Sequence, residues 1–353
     1  MRIALLIYAF REVKIYTIMI YAPVIIPTLN RYEHFKNCLE SLEACVGAEF
    51  TDVYVALDYP PSEKYVEGWK KIDIYLQEKE KDNNFHSLTV YRRETNYFFS
   101  GKGNWQTAVK DATINVDRYI FSEDDNIFSP NFLEFINKGL EKFKNDSSVL
   151  AICGYSHPYP IKYSDNNYFM QNVDFSAWGY GIWKDRVVKS DNTCNKAYFR
   201  KKLHSLNNLK KLKKHGLNRL LYAIQCAYGN KVNPDNDNTL SIYMVLESMN
   251  VVMPTITKVR NMGWDGTGVH CQEGESLENV HAKRIIDDKD QFYFIGDGMN
   301  YYDENMRVFV ENSYARCSYF RFIKSLIKIL IKRLMYFINP PAVTRSNSRW
   351  ITK

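Results

Sequence analysis

Tyr119-Ile-Phe-Ser-Glu-Asp-Asp-Asn-Ile-Phe-Ser-Pro-Asn-Phe-Leu-Glu-Phe135 decides the fold class. An apolar strand, Tyr119 to Phe121, runs into three consecutive acids, Glu123, Asp124 and Asp125. A Pro-led helix follows, with apolar residues at Phe132, Leu133 and Ile136. Adjacent like charges repel, and three carboxylates crowded at a strand's end are tolerable when a divalent cation or a metal-bound polyphosphate neutralises them. The bland alternative is a solvated acidic turn. Strand before and helix after argue against it, because open α/β sheets bind ligands at the carboxyl ends of their strands.

On either side of this stretch, strands alternate with helices. Ala22–Pro27 reads as a short strand, and Tyr32–Cys45 carries apolar residues at Phe35, Cys38, Leu39 and Leu42, the spacing of an amphipathic helix. Asp52–Leu57 is a second strand, with a helix through Trp69–Lys79; Leu88–Tyr91 is a third, with a helix at Trp105–Ala112. This alternation implies a mostly parallel sheet with helices on both faces. Farther on, Val149–Cys153 reads as a strand, Phe175–Val187 as an aromatic and glycine loop entering a helix, and residues 200–216 as a solvated Lys- and Leu-rich helix. Residues 239–249 read as a helix and Val251–Ile256 as a strand.

With 45% hydrophobic and 25% charged residues, the 353-residue chain is ordinary for a folded protein with one large α/β domain or two smaller ones. Aromatic residues reach 15%, which suits stacking platforms as well as core filling. The seven cysteines are odd in number and lack a CxxC pair, so neither a zinc site nor a disulfide framework is indicated, and a reducing cytoplasm fits best. The formal net charge of +7 is uneven: residues 312–353 hold nine Lys and Arg and no acid, leaving 38 basic against 40 acidic residues elsewhere. A near-neutral body argues against a nucleic-acid-binding core. Neither apolar half of residues 1–26 reaches the ~18–20 residues of a transmembrane helix, and the order of charge and apolar run is wrong for a signal peptide. Residues 1–18 read as an upstream extension before strand one.

Within residues 317–338, Phe320, Ile323, Ile327, Leu330, Leu334 and Ile338 line one side and Lys324, Lys328 and Lys332 another. That is the pattern of a basic interfacial helix, and the absence of acids points it to an anionic membrane surface rather than to the protein body. Other patterns fail. Ser100-Gly-Lys-Gly-Asn lacks the third glycine of a dinucleotide fingerprint and the ending of a P-loop. Asp235-Asn-Asp-Asn would need glycine where Leu240 stands and glutamate where Leu246 stands to be a calcium loop. No Gly-x-Ser-x-Gly or cysteine context offers a covalent nucleophile. His270, in a Gly-rich loop, could complete a metal shell with Asp125.

Four motifs in order carry a family resemblance over roughly residues 20–285. They are Ala22-Pro-Val-Ile-Ile-Pro-Thr-Leu-Asn-Arg31, the Ser122-Glu-Asp-Asp-Asn126 stretch, Ser176-Ala-Trp-Gly-Tyr-Gly-Ile-Trp-Lys-Asp-Arg186, and Arg260-Asn-Met-Gly-Trp-Asp-Gly-Thr-Gly-Val-His270. The chain resembles the GT-A nucleotide-sugar glycosyltransferases, more narrowly the bacterial hemolytic-protein-like sugar transferases, and more distantly the N-acetylglucosaminyltransferase I group. The resemblance implies a GT-A, Rossmann-like α/β fold with a mostly parallel sheet flanked by helices, a nucleotide half over about 19–150 and an acceptor half over about 151–285. Residues 286–316 would be a C-terminal extension, 317–338 the basic membrane-surface helix and 339–353 a tail.

It further implies Asp125 and His270 as ligands of Mn2+ or Mg2+, Asp124 on ribose or the metal-bound diphosphate, and Thr28, Arg31 and Asp58 on the nucleotide. The acceptor base falls on Asp237, with Asp235 or Asp265 as alternatives. The expected activity is an inverting transfer from a nucleotide-sugar donor to a glycan or lipid-linked acceptor in bacterial surface polysaccharide synthesis, at the inner face of the cytoplasmic membrane. A GT-A-like nucleotidyltransferase would want a Gly-rich signature loop after strand one, which Pro27-Thr-Leu-Asn-Arg31 is not. A catalytically inactive membrane-associated carbohydrate-binding or scaffold protein is the remaining alternative.

Overall fold

A computed structural model describes residues 20–98, 103–159, 166–229, 236–268, 279–298, 310 and 317–338, the last seven of these as backbone only. The doubtful extension at 1–18 and the tail at 339–353 lie outside the described residues.

The expected α/β architecture holds. Eight strands form one sheet in the order β3-β2-β1-β4-β8-β6-β9-β7. The strands are β1 (Val24–Thr28), β2 (Asp52–Leu57), β3 (Ser87–Arg92), β4 (Arg118–Phe121), β6 (Val149–Cys153), β7 (Tyr168–Gln171), β8 (Tyr180–Trp183) and β9 (Asn250–Pro254). β1 to β4 are all parallel, and β6 pairs parallel with β9, while β8 and β7 run against their neighbours. A separate antiparallel ribbon joins β5 (Asn126–Phe128) to β10 (Val259–Asn261), with Asn126 opposite Asn261.

Strand alternation sorts the core into two layers. Val24, Ile26, Val53 and Val55 face α1 (Tyr32–Glu43), α2 (Val66–Lys79) and α4 (Phe132–Lys142). Ile25 and Ala56 face the other way, into a layer with α3 (Asn104–Ala112), α6 (Lys196–Leu203), α8 (Leu217–Tyr228) and α9 (Asp237–Glu247). Helix α4 anchors the first layer through fully buried Phe132, Leu133, Phe135, Ile136 and Leu140, each worth about 1.5–3 kcal/mol of burial. The described cysteines are free, five of them buried, and burial pushes the Cys153 thiol up to about 12.

Two expectations need correction. Residues 180–183, read as part of a loop, are a central strand: a Cβ at Gly181 would lie 2.4 Å from Ile136 Cγ2, so the glycine that suggested a loop is what lets α4 pack on β8. Residues 200–216, read as one solvated helix, are the end of α6 and the whole of α7 (Leu206–Lys214). Ser205 caps α7 by accepting from Asn208 N at 3.4 Å, and Leu203, Leu212 and His215 are buried. The short strands β5, β7 and β10 were not anticipated. Within 317–338 a helix, α10, spans Tyr319–Ile338 and packs against α8; α5 (Lys184–Thr193) follows β8 directly.

Candidate active site

In this sheet β1 leads to β2 on one side and has β4 on the other, so the strand order reverses between β1 and β4. A crevice opens at such a point beyond the carboxyl ends of the strands. Thr28 ends β1, and the acids follow β4 directly, so two segments 96 residues apart meet there: Thr28 Oγ1 donates to Asp124 Oδ2 at 2.9 Å.

One guanidinium serves both aspartates. Arg31, just before α1, pairs with Asp124 through Nη2 and with Asp125 through Nη1, the latter at 2.8 Å. Asp125 Oδ1 accepts from Asn261 Nδ2 at 2.7 Å, and its carbonyl accepts from Met262 N at 2.8 Å. The β5–β10 ribbon therefore closes a loop of residues 262–267 over the acids. Gly263 lies against the carboxylate: a Cβ there would be 2.2 Å from Asp125 Oδ2.

The charges do not balance. Asp124 and Asp125 are 8% and 6% exposed and share a single cation. Burial pushes Asp125 above its ordinary value, with Arg31 pulling it down and Asp124 pushing it up. Glu123 is pushed well above the ordinary glutamate range by burial, then by the charges of Asp125, Asp124 and Asp237. Three carboxylates against one guanidinium leave negative charge of the kind that a hard divalent cation with oxygen ligands neutralises. Among the described residues no group of three His, Cys, Asp or Glu is arranged to hold a metal by itself. His270 lies outside the described residues, as does Asp235.

Asp237 is the first residue of α9, whose cap Asn236 accepts from Asn238 N at 3.0 Å. Its charge is among those raising Glu123, which joins the start of α9 to the crevice. Burial raises Asp237, followed by the charge of Asp174. Behind it, buried Arg219 pairs with Asp174 and donates to Asn238 Oδ1 at 2.9 Å, holding the helix start in place.

Asp265 differs. Burial raises it, but hydrogen bonds from Thr267 and the nearby His34 win and hold it below the ordinary carboxylate value. His34 Nε2 lies 3.2 Å from Asp265 Oδ2 and 3.2 Å from the Met262 carbonyl, tying the closing loop to α1.

Asp58, at the end of β2, is 3% exposed and accepts from Tyr59 N at 2.9 Å, Tyr97 N at 2.7 Å and Phe98 N at 2.9 Å. It shapes the segment at 97–98 beside the crevice.

An aromatic wall stands next to the closing loop. Trp264 stacks on His281 with centroids 5.0 Å apart, Trp178 meets both edge-on, and Tyr155 meets Trp178 at 4.6 Å. Burial, then the charges of His157 and Arg284, push His281 down to about 4, so it is neutral at physiological pH. Asn261, Gly263, Arg219 and His281 were not singled out from sequence. The first two lie inside the closing-loop motif, and Gly263 carried the one available signal, a glycine beside an aromatic residue where backbone must come close.

No protein-family model matches the sequence, and no curated protein matches it. Solved structures with a partly similar outline include TarS 1-349 from S. aureus, at 12% identity and a TM-score of 0.40 over 68% of this chain and 59% of that one. The same TarS segment in complex with UDP-GlcNAc is similar at 16% identity and a TM-score of 0.34, over 49% of this chain and 48% of that one. The mannosyltransferase PcManGT from Pyrobaculum calidifontis, in complex with GDP-Man and Mn2+, is similar at 12% identity and a TM-score of 0.32, over 64% of this chain and 69% of that one. This chain thus spans about three-fifths of the TarS segment, and its likeness to each structure is partial.

Proposed function

We propose that the chain is a metal-dependent, inverting nucleotide-sugar glycosyltransferase of the GT-A type, in the manner of the hemolytic-protein-like sugar transferases, acting on a glycan or lipid-linked acceptor in bacterial surface polysaccharide synthesis. The observation that carries this reading is the under-neutralised acid pair Asp124–Asp125 at the β1/β4 crevice. A donor diphosphate is anionic and would be repelled by these carboxylates alone, so a cation between them satisfies both.

Asp125, with His270, would hold Mn2+ or Mg2+, which when bound supplies charge neutralisation to the departing nucleoside diphosphate. Asp124 would face the ribose or the diphosphate, and Thr28 and Arg31 fix its orientation. Asp58 would frame the base pocket through the 97–98 segment it holds. Trp178 and Trp264 offer apolar faces of the kind on which sugar rings stack.

Asp237 would take the proton from the acceptor hydroxyl. The acceptor oxygen then bonds to the anomeric carbon as the bond from that carbon to the phosphate oxygen breaks on the opposite face, so the configuration inverts. Asp237 suits this better than Asp265, because a raised value makes a stronger base and a lowered one a weaker base.

The test is a melting panel of UDP, GDP, CMP and dTDP and their sugar conjugates, each with and without Mn2+. The expected result is stabilisation by one nucleotide that requires the metal and disappears in Asp125→Ala. No metal-dependent shift with any of them overturns the reading, and binding without transfer would favour a catalytically inactive carbohydrate-binding protein.

A further inference from the structure

Residues 312–353 are not the only stretch without acids. Residues 192–234 also contain no Asp or Glu and hold ten Lys and Arg. The two stretches are far apart in sequence, yet the fold makes them neighbours: α8 packs against α6, α7 and α10. The lysine-rich helices read from sequence as merely solvated therefore share α8 as a packing partner with the basic C-terminal helix.

Helix α10 presents two apolar rows rather than one. Phe322, Leu326 and Ile329 are half-buried. Phe320, Ile323, Ile327, Leu330 and Ile331 are 50–78% exposed. Lys324 and Lys328 are exposed beside that outer row, at helical spacings of i+4 and i+1 from Phe320, Ile323 and Ile327. Among the described residues no helix is long and apolar enough to cross a membrane. An apolar row flanked by lysines is instead the profile of a helix lying in a lipid headgroup layer. Lys201 on α6 and Lys210 and Lys213 on α7 are exposed as well.

We propose that α6, α7 and α10 form one docking face for an anionic lipid bilayer, the outer row of α10 entering the headgroup layer and the lysines of α6 and α7 lying over its phosphates. Charge selects this occupant over a second copy of the chain. Two such faces brought together would oppose lysines to lysines with no acid in either stretch to relieve them. The proposal does not depend on the transferase reading, since lipid docking is measured without donor or acceptor.

The test is co-sedimentation of the full chain with vesicles of phosphatidylcholine alone and of phosphatidylcholine with phosphatidylglycerol, at about 0.1 and 0.5 M salt. Binding to the anionic vesicles only, weaker at high salt, is expected. Lys324→Gln with Lys328→Gln, and separately Lys210→Gln with Lys213→Gln, should each weaken partition by about fivefold per lysine. Ile323→Ser with Ile327→Ser should weaken it about tenfold or more. All substituted positions are exposed or, at α10, outside the core, and unchanged melting confirms the fold of each variant.

Equal binding to both vesicle types, or none, overturns the proposal. If the Lys210/Lys213 pair has no effect while the α10 pairs do, the shared face is overturned. A concentration-dependent dimer abolished by Ile323→Ser and Ile327→Ser, without vesicle binding, assigns the row to a second copy instead.

Discussion

Gly263→Ala adds a single methyl group to the crevice and displaces the group most directly implicated in holding a cation. The new Cβ would sit 2.2 Å from Asp125 Oδ2, 3.0 Å from its Cγ and 3.4 Å from Arg31 Nη1. Carbon–oxygen contacts relax at about 3.3–3.6 Å, so the carboxylate must retreat by about 1 Å. That retreat strains the 2.8 Å pair with Arg31 and the 2.7 Å hydrogen bond from Asn261. Hydrogen bonds to charged groups are worth about 1.5–3 kcal/mol, so losing the equivalent of one of them weakens metal-dependent nucleotide binding by roughly 10–150-fold. Turnover should fall by about 100-fold, the usual cost of a 1 Å misplacement at a reacting centre. The backbone at Gly263 is not in the left-handed region, so alanine brings no conformational strain and the ligand-free melting temperature should move by only a few degrees. Titration calorimetry with a nucleoside diphosphate and Mn2+, beside melting curves without ligand, measures both. Wild-type affinity at unchanged stability would refute the placement of the cation beside Asp125.

Asp237→Asn should leave donor binding intact and lower kcat by at least about 100-fold, while Asp265→Asn lowers it far less; the reverse order in steady-state assays would move the base to the closing loop. Arg31→Gln removes the shared counterion of two buried aspartates and should cost about 2–3 kcal/mol of stability, less than for a fully buried pair because the Arg31 side chain is 18% exposed. Mn2+ should restore part of that loss in a thermal melt, and a variant as stable as wild type without metal contradicts the charge imbalance. Burial, partly offset by its hydrogen bond to the Lys211 carbonyl, holds His215 at about 4, below the histidine value of 6.5. A depressed histidine contributes stability that is present above the unfolded value and lost as pH falls through the folded one. Melting between pH 7 and pH 4 should therefore show a loss of which about 3 kcal/mol disappears in His215→Gln, while the part due to His281, also held at about 4, remains; an unchanged pH slope in that variant assigns the loss elsewhere.

The nucleotide half was legible because each of its strands is an apolar run ending at a polar signal. Residues 52–57 and 149–153 were placed without error, and the acids after Phe121 stand where a parallel strand must deliver them. Other parts were not, for reasons particular to their residues. Gly179 and Gly181 resemble a loop, yet Gly181 sits in a strand because α4 leaves no room for a side chain. The strands β5 and β10 are three residues each, too short for any period to show, and only their pairing explains why Asn261 reaches Asp125. Asp58 read as a ligand-facing carboxylate; the three backbone N–H groups that converge on it were not legible, because they depend on how residues 97–98 fold back over β2. Arg219 was invisible among ten basic residues until the fold set it on Asp174 in the interior.

The reversed direction of β8 decides how the protein could diversify. Phe121 lies opposite Tyr180, so the chain arriving at β8 does so at the same rim where the chain leaving β4 carries its acids. A strand of the other polarity would have delivered Trp178 to the far rim and left the crevice with one wall. From Trp183, paired with Arg118, to Asn250, paired with Val149, both ends of the intervening segment are pinned by ladder hydrogen bonds. The helices between them can vary in length while the acids keep their positions, except that α8 must retain Arg219, which ties Asp174 to the start of α9.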